Sequence, residues 1–132
     1  MTDTTTATVS KLASVIIPVA DQDRQLAFYT EVLGLEKRSD VPFTPDGGRW
    51  IEVAPQGAET PIALCPPGPD GKKGGKETGI SLEIDDIDAY HEQLNARGVD
   101  VDAEISRFGD QVPAMFWFRD PEENRLMVVE AR

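Results

Sequence analysis

The sequence predicts an α+β fold built from two successive βαβββ modules. Three observations carry that expectation. An apolar strand, an aspartate-capped helix and a glycine stop occur twice in the same order. Short β-branched stretches follow each helix, and a Pro/Gly-rich segment divides the chain almost in half. The repeat runs Val19-Ala20-Asp21 to Leu33-Gly34-Leu35 and again Ile84-Asp85-Asp86 to Arg97-Gly98-Val99.

Residues 1–10, with five threonines and no periodicity, read as a disordered leader. Residues 11–19 are apolar and β-branched, a strand buried over most of its surface. Asp21 or Asp23 caps a helix over 22–33, in which Leu26, Tyr29 and Leu33 form one stripe and Gly34 ends it. Strands near 35–39, 49–54 and 61–65, parted by turn formers at 45–48 and 55–57, complete module one, residues 11–65. Residues 66–78 hold neither period and read as a mobile connector. Module two, 79–132, repeats the pattern: a strand over 79–84, caps at Asp85 and Asp86, and a helix with Ile87, Tyr90 and Leu94 inward. Gly98 stops that helix, and strands follow near 99–105, 114–119 and 125–130.

With 132 residues and 39% of them apolar, the chain can build one core without staples, so a single domain is expected. Thirteen Lys and Arg against 24 Asp and Glu give a net charge of −11, which repels phosphate backbones and favours a cationic small molecule over nucleic acid. No apolar run approaches the roughly 18–20 residues that cross a bilayer, and the start is polar, so a cytoplasmic protein without a membrane partner is expected. One cysteine and one histidine supply neither an internal disulfide nor a structural zinc site.

Several stretches resemble the vicinal oxygen chelate superfamily of glyoxalases, bleomycin-resistance proteins and extradiol dioxygenases. They are Val19-Ala20-Asp21 with Ala27-Phe28-Tyr29 and Val32-Leu33-Gly34-Leu35; Leu82-Glu83-Ile84-Asp85-Asp86-Ile87; Ala96-Arg97-Gly98-Val99; and Phe118-Arg119-Asp120-Pro121-Glu122-Glu123-Asn124-Arg125-Leu126. The resemblance covers residues 12–130. It implies that each sheet curls into half of an open cavity, that a small molecule binds between the halves, and that the chain forms a homodimer. The last stretch has Glu123 where the superfamily has glycine, and negative φ is expected there.

The superfamily's metal enzymes hold one divalent ion with His and Glu side chains from four strands. Counting from the motifs, those positions fall on Ser14, Ala63, Gly79 and Met127. A hydroxyl, a methyl, a bare Cα and a thioether offer no charge to offset a cation's dehydration. No metal and no other cofactor is therefore expected.

Strand alternation points Ser14, Ile16, Ala63, Cys65, Gly79, Ser81, Glu83, Met115, Trp117, Met127 and Val129 into the cavity. Trp117 offers a face to a planar or cationic ligand, with Phe116 and Phe118 in the core. Trp50 and Glu52 share one side of their strand and suit a basic or hydroxylated ligand. Glu83, as an acid in an apolar trough, is the best candidate general base. His91 reads as a flanking surface residue, Cys65 as a small buried one, and Lys72, Lys73 and Lys76 as a solubilising loop. Two functions stay open: a metal-independent protein sequestering an aromatic or cationic compound, and a glyoxalase- or dioxygenase-type enzyme. The enzyme would use metal ligands from unexpected places such as Glu52, Glu83 or Glu130, or Glu83 as a metal-free base.

Overall fold

The strands are β1 (Val15–Pro18), β2 (Glu36–Pro42), β3 (Arg49–Ala54) and β4 (Ile62–Cys65) in module one, and β5 (Glu77–Ile84), β6 (Asp100–Val101), β7 (Met115–Arg119) and β8 (Arg125–Glu130) in module two, with burial alternating along β5, β7 and β8. The computed structural model describes residues 6–68, 71 and 75–131. Expectations placed on residues 1–5 and on Lys72 and Lys73 lie outside them. The two sheets have orders β1-β4-β3-β2 and β5-β8-β7-β6, with the first strand of each parallel to its neighbour and the others antiparallel. The repeat in sequence is thus a repeat in topology.

Asp21 caps α1 (Gln22–Ala27), its carboxylate accepting from Arg24 N at 3.0 Å, and Asp86 caps α2 (Ile87–Ala96) by accepting from Ala89 N at 3.0 Å. The first helix was expected to stay α-helical to residue 33. It turns π-helical over Phe28–Val32, with Leu33 N donating to Phe28 O at 3.0 Å. The wider turn lets two successive aromatics, Phe28 and Tyr29, both lie buried, edge to face at 5.4 Å.

Both helices cover the same side of the sheets. Ile17, Val19, Ile51, Val53, Ile62 and Leu64 of module one, and Phe116, Phe118, Leu126 and Val128 of module two, share one core with Phe28, Tyr29, Leu33, Ile87 and Leu94. The modules are tied across that core. Tyr90 Oη donates to Leu33 O at 3.0 Å and Arg97 Nη1 to Val32 O at 2.7 Å, while Phe28 and Phe118 sit 6.3 Å apart. The Glu122 carboxylate accepts from Ala20 N and Asp21 N at 2.8 Å each, so module two completes the start of module one's helix.

Four expectations need correction. The strand expected over 11–19 narrows to Val15–Pro18, because residues 11–13 lie exposed outside the ladder, Leu12 at 72%. The strand expected over 99–105 shrinks to Asp100–Val101, because Asp102 gives its carboxylate to Arg119 Nη1 (2.9 Å) and Trp117 N (3.3 Å) and bends the chain off the ladder until the Ser106–Met115 bridge. The connector loses its last two residues to β5, where Thr78 Oγ1 donates to Arg125 O at 2.7 Å. Glu123 has φ +66°, not the expected negative value. Asp120 fixes that conformation: its Oδ1 accepts from Glu122 N (2.9 Å) and Asn124 N (3.0 Å), and its carbonyl from Glu123 N (2.8 Å). A left-handed glutamate costs roughly 1 kcal/mol, so Glu123→Gly is expected to raise stability by about 0.5–1 kcal/mol in urea unfolding. A loss of stability would show that the glutamate side chain contributes a contact that outweighs the strain.

Candidate functional site

The helices leave one face of each sheet uncovered, and strand alternation sorts the candidate residues onto it. In module one, Ile16 pairs in register with Ala63 and Ala63 with Glu52; in module two, Ser81 pairs with Met127 and Met127 with Trp117. These rows are equivalent under the repeat, Glu52 matching Trp117. Ile16 is 53% exposed, whereas Ala63 and Cys65, flanked by larger neighbours, are buried. Ser14 stands just before β1, half-buried, and Met115 and Val129 pair one step along β7 and β8.

The two tryptophans are held differently. Trp50 Nε1 donates to Glu52 Oε2 at 2.8 Å, and Phe43 meets the Trp50 ring edge-on at 5.3 Å. Glu52 therefore orients an indole rather than standing free. Trp117 carries the Arg125 guanidinium 4.7 Å over its ring, and Arg125 is itself anchored to Glu77 at 2.5 Å. One face of Trp117 is thus occupied by the chain's own cation. The sequence reading missed Phe43 and Arg125. Arg125 was within reach, since it lies two residues from Met127 on the same side of β8.

Glu83 does not sit in an apolar trough. It is exposed on β5, which pairs with β8 along one side only, and with Gly79 and Ser81 it borders a cavity of about 400 Å³ beside Val15 and Ile62. The environment that motivated a general base is absent. His91 is half-buried rather than on the surface: its Nε2 lies 2.7 Å from Asp102 O and its ring meets Phe116 edge-on at 4.9 Å. Burial, with a smaller push from the Glu52 charge, raises the Cys65 thiol to about 11, so it is no thiolate at neutral pH. Lys76 gives its carbonyl to Arg125 N at 2.8 Å.

A metal ion does not fit the residues present. Among the described residues no three His, Cys, Asp or Glu side chains come together to hold one. Ser14, Ala63, Gly79 and Met127, which occupy the positions counted from the sequence, offer no anionic donor. What the uncovered faces provide is aromatic surface, thioethers and a few polar groups already engaged with one another, which is chemistry for holding a flat apolar molecule.

Comparison with known proteins agrees with the architecture. Residues 11–128 match the family model described as the Glyoxalase/Bleomycin resistance protein/Dioxygenase superfamily. The crystal structure of TnmS3, an antibiotic binding protein from Streptomyces sp. CB03234, is 31% identical with a TM-score of 0.81, covering 96% of this chain and 100% of that one. A member of the same superfamily from Sphaerobacter thermophilus is 36% identical with a TM-score of 0.84, covering 93% and 98%. The Bacillus subtilis protein YetH is 27% identical over 122 residues, 92% of this chain and 99% of that one. Among the described residues no helix is long and apolar enough to cross a membrane.

Proposed function

The chain belongs to the Glyoxalase/Bleomycin resistance protein/Dioxygenase superfamily, and from that premise we propose that it is a metal-independent binding protein that sequesters an aromatic small molecule. The observation that carries this reading is the pair of tryptophans on the two uncovered sheet faces, Trp50 and Trp117, each fixed by a polar neighbour. A rigid indole loses little freedom on binding and presents a large flat contact. Glu52 beside Trp50 and the net charge of −11 favour a ligand with a cationic group on the module-one side. Ser14, Ile16, Ala63, Cys65, Gly79, Ser81, Met115 and Met127 supply the small and apolar remainder. The likeness to TnmS3, an antibiotic binding protein, supports the class of ligand. In this reading the protein acts in the cytoplasm as a homodimer, and Ile16, exposed on the uncovered face of module one, is among the residues that the second copy shields.

Two measurements test it. A panel of aromatic antibiotics and metabolites is expected to contain a compound that quenches tryptophan fluorescence, with Trp50→Phe and Trp117→Phe each removing part of the signal. A panel that leaves the fluorescence and the melting temperature unchanged would sink the binding reading. Dialysis against Ni, Zn, Mn and Fe(II), then metal-free buffer, is expected to leave no stoichiometric metal. Retention of one equivalent would instead move the chain to the enzyme reading.

A further inference from the structure

A second cavity lies on the helix side of the molecule, away from the uncovered faces. It measures about 350 Å³ and is bounded by both modules: Arg24 and Phe28 come from module one, and Arg97, Arg119 and the acids Asp100 and Glu123 from module two. The arginines set it apart. Among the described residues Arg38, Arg49, Arg107, Arg119 and Arg125 all pair with carboxylates, whereas Arg24 and Arg97 form no ion pair. Both of those unneutralised guanidinium groups line this one cavity. The wall also carries Asp100, Asp120 and Glu123, so its formal charge is balanced, and what sets it apart is two guanidinium groups with no carboxylate partner.

The rest of the wall fits the same reading. Arg97 spends one of its five N–H donors on Val32 O at 2.7 Å, which fixes the guanidinium and leaves the others to offer. Arg119 is held by Asp100 and Asp102, which consume its Nε and Nη1. The acid nearest to the interior, Asp120, is turned inward to Tyr29 and Gln25 and does not compete for the arginines. Phe28, Val99 and Pro121 give an apolar wall beside the cations. We propose that this junction cavity binds a small organic anion, a carboxylate or phosphomonoester carrying an apolar group, with Arg24 and Arg97 as the anion-binding residues. Because the cavity is shared by the modules, an occupant clamps one against the other.

The probe is phenyl phosphate, titrated calorimetrically into the full-length chain, with inorganic phosphate as the comparison. Saturable binding is expected, tighter for phenyl phosphate, weakened by salt, and accompanied by a rise in melting temperature. Arg24→Gln and Arg97→Gln are each expected to weaken it by about tenfold, the size of one charge-assisted hydrogen bond. Arg107→Gln, on a distant exposed ion pair, is expected to leave it unchanged. Arg97→Gln also removes a tie between the modules, so a fall in its melting temperature could mimic a lost site. Arg24→Gln has no such tie, and is the decisive variant. No saturable binding, or binding that both variants leave intact, overturns the proposal. The tryptophan faces play no part, so this result and that for the sequestered aromatic ligand are independent.

Discussion

Asp120→Ala is expected to lower the free energy of unfolding by about 3–5 kcal/mol, among the largest losses any single side chain here can give. Asp120 is 4% exposed and accepts from Tyr29 Oη at 2.8 Å, Gln25 Nε2 at 2.7 Å, Asn124 Nδ2 at 3.1 Å, and the N–H groups of Glu122 and Asn124. Gln25 Oε1 and Asn124 Oδ1 have no partner among the described residues, so those amides rely on Asp120 alone for side-chain bonding. Alanine would leave three buried side-chain donors and two backbone donors facing a cavity, each costing roughly 1–3 kcal/mol less whatever water can recover. It would also release the turn that holds Glu122 on the start of α1. Asp120→Asn keeps the shape but aims an amide N–H at converging donors, and about 2 kcal/mol is expected. Urea unfolding followed by tryptophan fluorescence measures both. A loss below about 1 kcal/mol for alanine would mean that water replaces the carboxylate and that the network does not join the modules.

That network shows where the sequence was readable and where it was not. The stretch Phe118-Arg119-Asp120-Pro121-Glu122-Glu123-Asn124 stood out by its resemblance to the superfamily, yet its partners Gln25 and Tyr29 lie more than 90 residues away, and no local pattern announces them. Strand positions followed period-two alternation, which is why β3 and β8 fall where expected and why the candidate lining residues share the uncovered faces. A capping aspartate before each helix was legible because capping is a local bond, but the choice of Asp21 over Asp23 and of Asp86 over Asp85 was not. Tertiary choices were not. Asp102 chose Arg119 over a longer ladder, Glu123 accepted a left-handed backbone because Asp120 and Asn124 close the turn around it, and Arg125 covered the Trp117 ring. Glu83 was misjudged for a related reason. Alternation gives the side a residue faces, but whether that side is dry depends on what stands next to an edge strand.

Alkaline pH is expected to destabilise the fold through overlapping titrations. The Cys65 thiol is pushed from its ordinary 9.0 to about 11, first by burial and then by the Glu52 charge. Tyr29, fully buried, has its phenol held well above 10.0 by burial first and then by the Asp120 charge, and burial raises Tyr90 as well. For each group the native pKa exceeds the unfolded one, so the unfolded chain loses its proton first. Stability is then complete below the unfolded pKa and falls as pH climbs, by about 1.4 kcal/mol per pH unit for each group in its window. Cys65 acts between about pH 9 and 11, and Tyr29 from about pH 10 upward, which sums to about 4 kcal/mol by pH 11. Cys65→Ala should reduce the fall from about pH 9 and Tyr29→Phe the fall from about pH 10, each after correction for its own loss at neutral pH. A pH-independent unfolding free energy from 8 to 11 would refute the buried environments of both groups. At neutral pH Cys65 stays protonated, so a thiol reagent is expected to react slowly with it.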